Sequence, residues 1–202
     1  VVRWSSEPDG NLLGIGPSVS NPLTGEIISA DVVNKLLAIK LGYNYRKLYG
    51  YSEDNDPLMQ YITNLTLHEV GHVLGLRHNF RGSYLYSPDE IHDKNITGNV
   101  LMSSVMDYDP INIAPEGVEQ GIYFSTEPGV YDKWAVKFGY TPNLTEEERT
   151  ALLQQSVKRE LTFGTDDDAM SYPGNNIDPR TKRYDMSNDP IGYAEDIVKI
   201  VD

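Results

Sequence analysis

Residues 68–78 read His68-Glu69-Val70-Gly71-His72-Val73-Leu74-Gly75-Leu76-Arg77-His78, the pattern H-E-x-x-H-x-x-G-x-x-H. This stretch holds three of the four histidines in the chain. On an α-helix, His68 and His72 lie one turn apart on one face, where two imidazoles can share a metal ion. Glycine readily takes the left-handed conformation that ends a helix, so Gly75 lets the chain turn and bring His78 back as a third ligand. Three protein ligands with a fourth position left open make a catalytic zinc site rather than a structural one. Glu69 sits beside the first ligand, where it meets a metal-bound water better than the metal. A metal held there lowers the pKa of its water towards about 7. Glu69 is then the general base, taking a proton as the water attacks a carbonyl and passing it to the leaving amine. Two histidines on a helix can also be plain polar surface. The third His and the intervening Gly, at this spacing, favour the metal.

The elements that must position these groups follow from local signals. Asp56-Pro57 reads as N-cap and first helical residue, so the helix carrying His68 and His72 runs from about Pro57 to Leu74 and stops at Gly75. Tyr61, Ile62, Leu65, Leu67, Val70, Val73, Leu74 and Leu76 make it mostly apolar, as for a helix crossing a core. Upstream, strands are expected over 1–4, over 12–19 (softened by Gly14 and Gly16) and over 26–33. Turns are expected at Pro8-Asp9-Gly10 and over 21–25. Leu36, Leu37, Ile39, Leu41 and Tyr45 suit a helix over 33–48, broken near Gly42.

Downstream, 79–99 reads as loop, and its lone His92 is left out of the site. Tyr131, Trp134, Ala135 and Phe138 share a helix face ending at Gly139. Thr145 with Glu148 forms a capping box for a helix to about Arg159. Residues 164–183, with Asp166-Asp167-Asp168 and Pro173-Gly174-Asn175-Asn176, read as a polar loop, either solvated and acidic or calcium-binding. Asp189-Pro190 opens a last helix to about Val201. The sum is an α+β chain. A small mixed, twisted sheet packs on the active-site helix over 1–78, and a mainly helical and loop C-terminal subdomain follows the third histidine over 79–202.

At 202 residues the chain is long enough for one full core, or for two small lobes around a cleft. Its net charge of −13 argues against nucleic acid, which needs a basic stripe. With no cysteine, zinc must be held by histidines and carboxylates. No run of about twenty apolar residues offers a membrane span. Val1-Val2-Arg3-Trp4 reads as a strand cut from something longer.

The eleven-residue pattern resembles that of the metzincin zinc endopeptidases. Those enzymes carry a methionine-containing turn beneath the metal some tens of residues downstream, and Ser103-Ser104-Val105-Met106-Asp107-Tyr108 fits that place. Pro22-Leu23-Thr24-Gly25-Glu26-Ile27 and Tyr131-Asp132-Lys133-Trp134-Ala135 resemble a group of large bacterial metzincins. The resemblance implies that Met106, rather than nearby Met102, is an apolar floor under the ligands and does not bind zinc. It implies that Tyr108 reaches the metal and supports an oxyanion, and that the edge near 17–28 pairs with an extended substrate. Asp107 is expected to be a buried hydrogen-bonding carboxylate. The first strand and long helix of such domains would precede this chain. Asn79, after the third His, departs from the Glu, Asp, Ser or Pro of the better-known branches, so specificity does not carry over. The expected function is a secreted or periplasmic zinc endopeptidase acting on protein or peptide substrates through one Zn²⁺. The alternatives are a zinc-bearing binding module, an inactive fragment of a larger protease, or a zinc hydrolase of non-peptide substrates.

Overall fold

The computed structural model describes residues 1–6, 13–169 and 178–201. Pro8-Asp9-Gly10 and Pro173-Gly174-Asn175-Asn176 lie outside the described residues. The chain opens with short strands: β1 (Val2–Ser5), β2 (Gly14–Ile15), β3 (Ser18–Ser20), β4 (Ile27–Ala30) and β5 (Val32–Lys35). One sheet has the order β1-β5-β2. In it β1 runs parallel to β5, with Val2 opposite Val32, and β2 runs antiparallel, with Ile15 opposite Val33. β3 and β4 pair as a separate antiparallel ribbon, with Val19 opposite Ser29. The single strands expected over 12–19 and 26–33 are therefore two strands each. The second split falls at Asp31, whose amide bonds the Pro17 carbonyl and whose carboxylate pairs with Arg3.

The helices follow: α1 (Leu36–Tyr49), α2 (Pro57–Val73), α3 (Lys94–Thr97), α4 (Val130–Tyr140), α5 (Glu146–Leu153), α6 (Asp166–Ala169) and α7 (Pro190–Val201). The expected break at Gly42 is absent, and α1 runs straight through it. Gly42 is buried where α1 packs on α2, and a Cβ there would lie 2.7 Å from the Leu58 Cδ1. Glycine serves close helix packing at this point, against a propensity cost of about 1 kcal/mol. The capping box at Thr145 forms, with Glu148 N donating to Thr145 Oγ1 at 3.2 Å and Thr145 N donating to Glu148 Oε2 at 2.9 Å. The helix it starts is shorter than expected, ending at Leu153 and giving way to 3-10 turns at Gln154–Val157 and Arg159–Leu161. The stretch over 79–99 is mostly loop but includes α3 and a 3-10 turn, Gly82–Leu85. The acidic stretch expected to be loop carries α6.

Two apolar clusters hold this α+β arrangement. Ile91, Leu101, Met102, Ile122, Met186 and Tyr193 form one, which seats α7 through Tyr193 and Ile197. Ala38, Tyr61, Tyr123 and Phe124 form the other, with Leu41, Tyr45 and Leu65 packed against it, and it joins α1 to α2. Among the described residues, no helix is long and apolar enough to cross a membrane.

Candidate metal centre

The site is built on α2. Asp56 caps it, accepting from Leu58 N at 3.0 Å, and the same carboxylate is held by Arg46 from α1. Pro57 follows as first helical residue. At the other end Gly75 adopts φ +85°, the left-handed turn expected there. The face that α2 buries is more polar than its sequence suggests. Gln60, Asn64 and His68, spaced four apart, are all buried, while Ile62, Leu65, Val70 and Val73 are only partly so. Gln60 and Asn64 reach the segment over 123–125, and His68 reaches the loop that carries Met106. Gln60 Oε1 accepts from Tyr123 N and Phe124 N at 2.7 and 3.2 Å, and Asn64 Nδ2 donates to Ser125 O at 3.2 Å. His68 Nδ1 lies 2.7 Å from Val105 O.

The three imidazoles then converge. One ring nitrogen from each of His68, His72 and His78 lies within 4.8 Å of the others. The Nδ1 of each ring meets an oxygen: Val105 O for His68, Leu76 O at 3.0 Å for His72, and the Asp166 carboxylate at 2.9 Å for His78. A carbonyl only accepts, so Nδ1 of His68 and His72 carries the hydrogen and Nε2 keeps its lone pair. Burial, with the neighbouring His72 adding to it, holds His68 down at about 3. Burial likewise lowers His72. Both rings are thus neutral, as a metal requires. Partial burial works against ionising Asp166, but the His78 hydrogen bond, the charge interactions with His78 and Arg183 and its own backbone amide together outweigh it and hold that carboxyl below its ordinary value. A carboxylate behind a ligating histidine fixes the tautomer and raises the basicity of the ring. The donor set therefore fits a divalent ion such as zinc: three imidazole nitrogens, each ring oriented from behind.

The other expected site residues fall as follows. Glu69 is buried, and burial alone pushes its carboxyl up to about 7. β2 lies directly against it: a Cβ on Gly14 would sit 2.5 Å from Glu69 Oε1, and one on Gly16 would sit 2.3 Å from the Glu69 carbonyl oxygen. The strand facing Glu69 is therefore β2, just before the stretch over 17–28. Met106 is fully buried beneath α2, and a Cβ on Gly71 would lie 2.2 Å from its sulfur. That explains the glycine between the two helical ligands. Met102 belongs instead to the cluster around Ile91. Tyr108 is half-buried, its ring centroid 4.7 Å from His78 and 5.5 Å from His68. Asp107 is buried and accepts from Ser83 N and Tyr108 N at 3.0 and 2.8 Å. Asn79 is fully buried. Its amide bonds Met106 O, and its side chain accepts from Gly164 N and donates to Thr162 O. His92 is buried against Tyr193 and lies outside the cluster.

Sequence reasoning missed Asp166 and Asp132. Each carboxylate of the acidic stretch has a partner: Asp166 holds His78, Asp167 pairs with Arg77 at 3.0 Å, and Asp168 accepts from Thr165 N. Asp132, on α4, accepts from Ser104 Oγ at 2.6 Å and from Val105 N and Gly129 N at 2.8 Å. It thereby latches the loop that carries Met106. Sequence reasoning also passed over Gln60 and Asn64, whose four-residue spacing in line with His68 marks the polar face that α2 buries.

No curated protein and no solved structure matches the chain. The sequence model of one family, described as Met-zincin, matches residues 51–202. That match spans most of the chain, from the cap of α2 through all three histidines and the Met106 loop, and the chain belongs to the Met-zincin family.

Proposed function

We propose that the protein is a zinc-dependent endopeptidase in which His68, His72 and His78 hold the metal through Nε2 and Glu69 is the general base. The observation that carries this is the anchoring of all three Nδ1 atoms, which leaves three Nε2 lone pairs free to converge. Bound there, zinc supplies a Lewis acid and lowers the pKa of water towards about 7. Glu69 takes a proton from the attacking water and returns it to the leaving amine, a role that suits a carboxyl held near 7. Gly14 and Gly16 keep side chains out of the space over Glu69, so the edge of β2 can lie beside an extended substrate. The Tyr108 hydroxyl is the donor we assign to the developing oxyanion.

Zinc content and cleavage of a mixed peptide library test this together. The wild type should carry one zinc and cut peptides. Glu69→Gln should keep the zinc and lose at least about 10³-fold in turnover. Tyr108→Phe should lose about 10–100-fold with the zinc retained. Replacing any one of the three histidines with Ala should lose the metal. A wild type that binds no zinc, or a Glu69→Gln protein that still cuts, would sink the reading.

A further inference from the structure

One cavity of about 940 Å³ joins the imidazole cluster and Glu69 to a recess beside α2. The recess is walled by Leu41, Tyr45, Tyr61, Leu65, Ile111 and Phe124. The rings of Tyr45, Tyr61 and Phe124 pack on one another with centroids 5.1–5.7 Å apart. Into this apolar, aromatic space comes a carboxylate, Asp109. Its own backbone N–H donates to it, and its one side-chain hydrogen bond among the described residues is a long one, 3.3 Å from Asn64 Nδ2, an amide shared with Ser125 O. Among the described residues Asp109 has no ion pair, and the hydroxyls of Tyr45 and Tyr61 have no hydrogen bond. Neighbouring carboxylates differ. Asp107 accepts two backbone amides, and Asp132 accepts two amides and a hydroxyl.

We propose that this recess takes a lysine or arginine side chain of the substrate, next to the bond to be cut, with Asp109 as its counter-charge. The proposal rests on the endopeptidase reading for what the site acts on. The chemistry matches from end to end. The aliphatic stem of a basic side chain packs on Leu41, Leu65 and Ile111, and its charged head meets the carboxylate among aromatic faces. A charge-assisted hydrogen bond to a desolvated carboxylate is stronger than a neutral one. A purely apolar side chain would instead cover Asp109 without supplying a counter-charge. The net charge of −13 draws cationic peptides towards the cleft.

Two sets of random decapeptides, identical except for arginine or citrulline at the central position, are offered to the Glu69→Gln protein, with binding read by fluorescence polarisation. Citrulline keeps the shape and removes the charge. Arginine should be preferred roughly tenfold or more, and Asp109→Asn should bring that ratio close to one. Equal binding of the two sets, or a preference that survives Asp109→Asn, overturns the proposal. The arginine-against-citrulline comparison needs no change at Asp109, so a poorly folded variant does not decide it. If the arginine preference appears while the wild type cuts none of these peptides, the recess stands as a basic-side-chain site and the endopeptidase reading falls.

Discussion

On one side of the cleft, β2 meets α2 through Gly14 and Gly16, with no room for a side chain at the contact. On the other, the loop carrying Met106 is tied down by the buried Asp132 carboxylate and by Asn79. The strand wall is open, with Ile15 43% exposed and Val19 on the next strand 59%. The loop wall is closed: Ser103, Ser104, Val105, Met106 and Asp107 are all buried. A wall that touches by shape alone can shift to admit a substrate, whereas a wall held by hydrogen bonds sets the position of the ligands. His68 takes its orientation from that second wall, through Val105 O.

Removing the latch gives the largest effect. Asp132→Ala leaves the Val105 and Gly129 amides and the Ser104 hydroxyl without their buried acceptor, at a cost of about 3–5 kcal/mol. Urea denaturation should show that loss, and zinc affinity should fall with it because Val105 O no longer orients His68. A variant with wild-type stability and zinc affinity would mean that the loop wall is not held from α4.

The strand wall predicts a smaller effect of a different kind. A Cβ at position 16 would meet a backbone carbonyl, which cannot swing aside, so β2 must move away from Glu69. Gly16→Ala should cost about 1–3 kcal/mol in stability and should lower kcat/KM for peptides while leaving zinc content unchanged. Val19→Ala, on the exposed neighbouring ribbon, should do neither. Peptide turnover unchanged in Gly16→Ala would break the contrast between the two walls.

The same contrast explains what could be read from the sequence. The ends of α2 and the capping box at Thr145 are local signals and form as expected, and the fixed spacing of the three histidines brings their rings together. Gly42 misled, because a glycine that breaks a helix and one that lets two helices touch look alike in one sequence. β4 and β5 read as one strand because the corner at Asp31 is set by contacts with Pro17 and Arg3. Asp166 and the long-range part of Asp132's role were illegible: only the Gly129 amide, three residues before Asp132, is local, whereas His78 lies 88 residues from Asp166, and Val105 and Ser104 lie 27–28 residues from Asp132. A hydrogen bond over such a separation imposes no period and no turn on the local sequence. The closed wall is fixed to the rest of the fold by such bonds, so it was the less legible of the two.

Asp109 sharpens the comparison further, because it stands on the closed wall without sharing in its hydrogen bonding. Burial pushes its carboxyl from an ordinary 3.8 up to about 7. The folded chain therefore holds this proton more tightly than the unfolded chain does. That stabilisation is complete below about pH 4, declines as the pH rises and is gone above about pH 7. A shift of this size corresponds to at most about 4 kcal/mol, and partial exposure of the side chain reduces it to about 1–2 kcal/mol. Asp109→Asn, which carries no charge at any pH, should stabilise the protein by that amount at pH 8.5 relative to its effect at pH 4. Denaturation of both proteins across this range measures the difference directly. A flat difference would mean that Asp109 is solvated. A difference that opens with pH would mark it as a carboxylate kept in an apolar recess at a cost in stability, as binding groups commonly are.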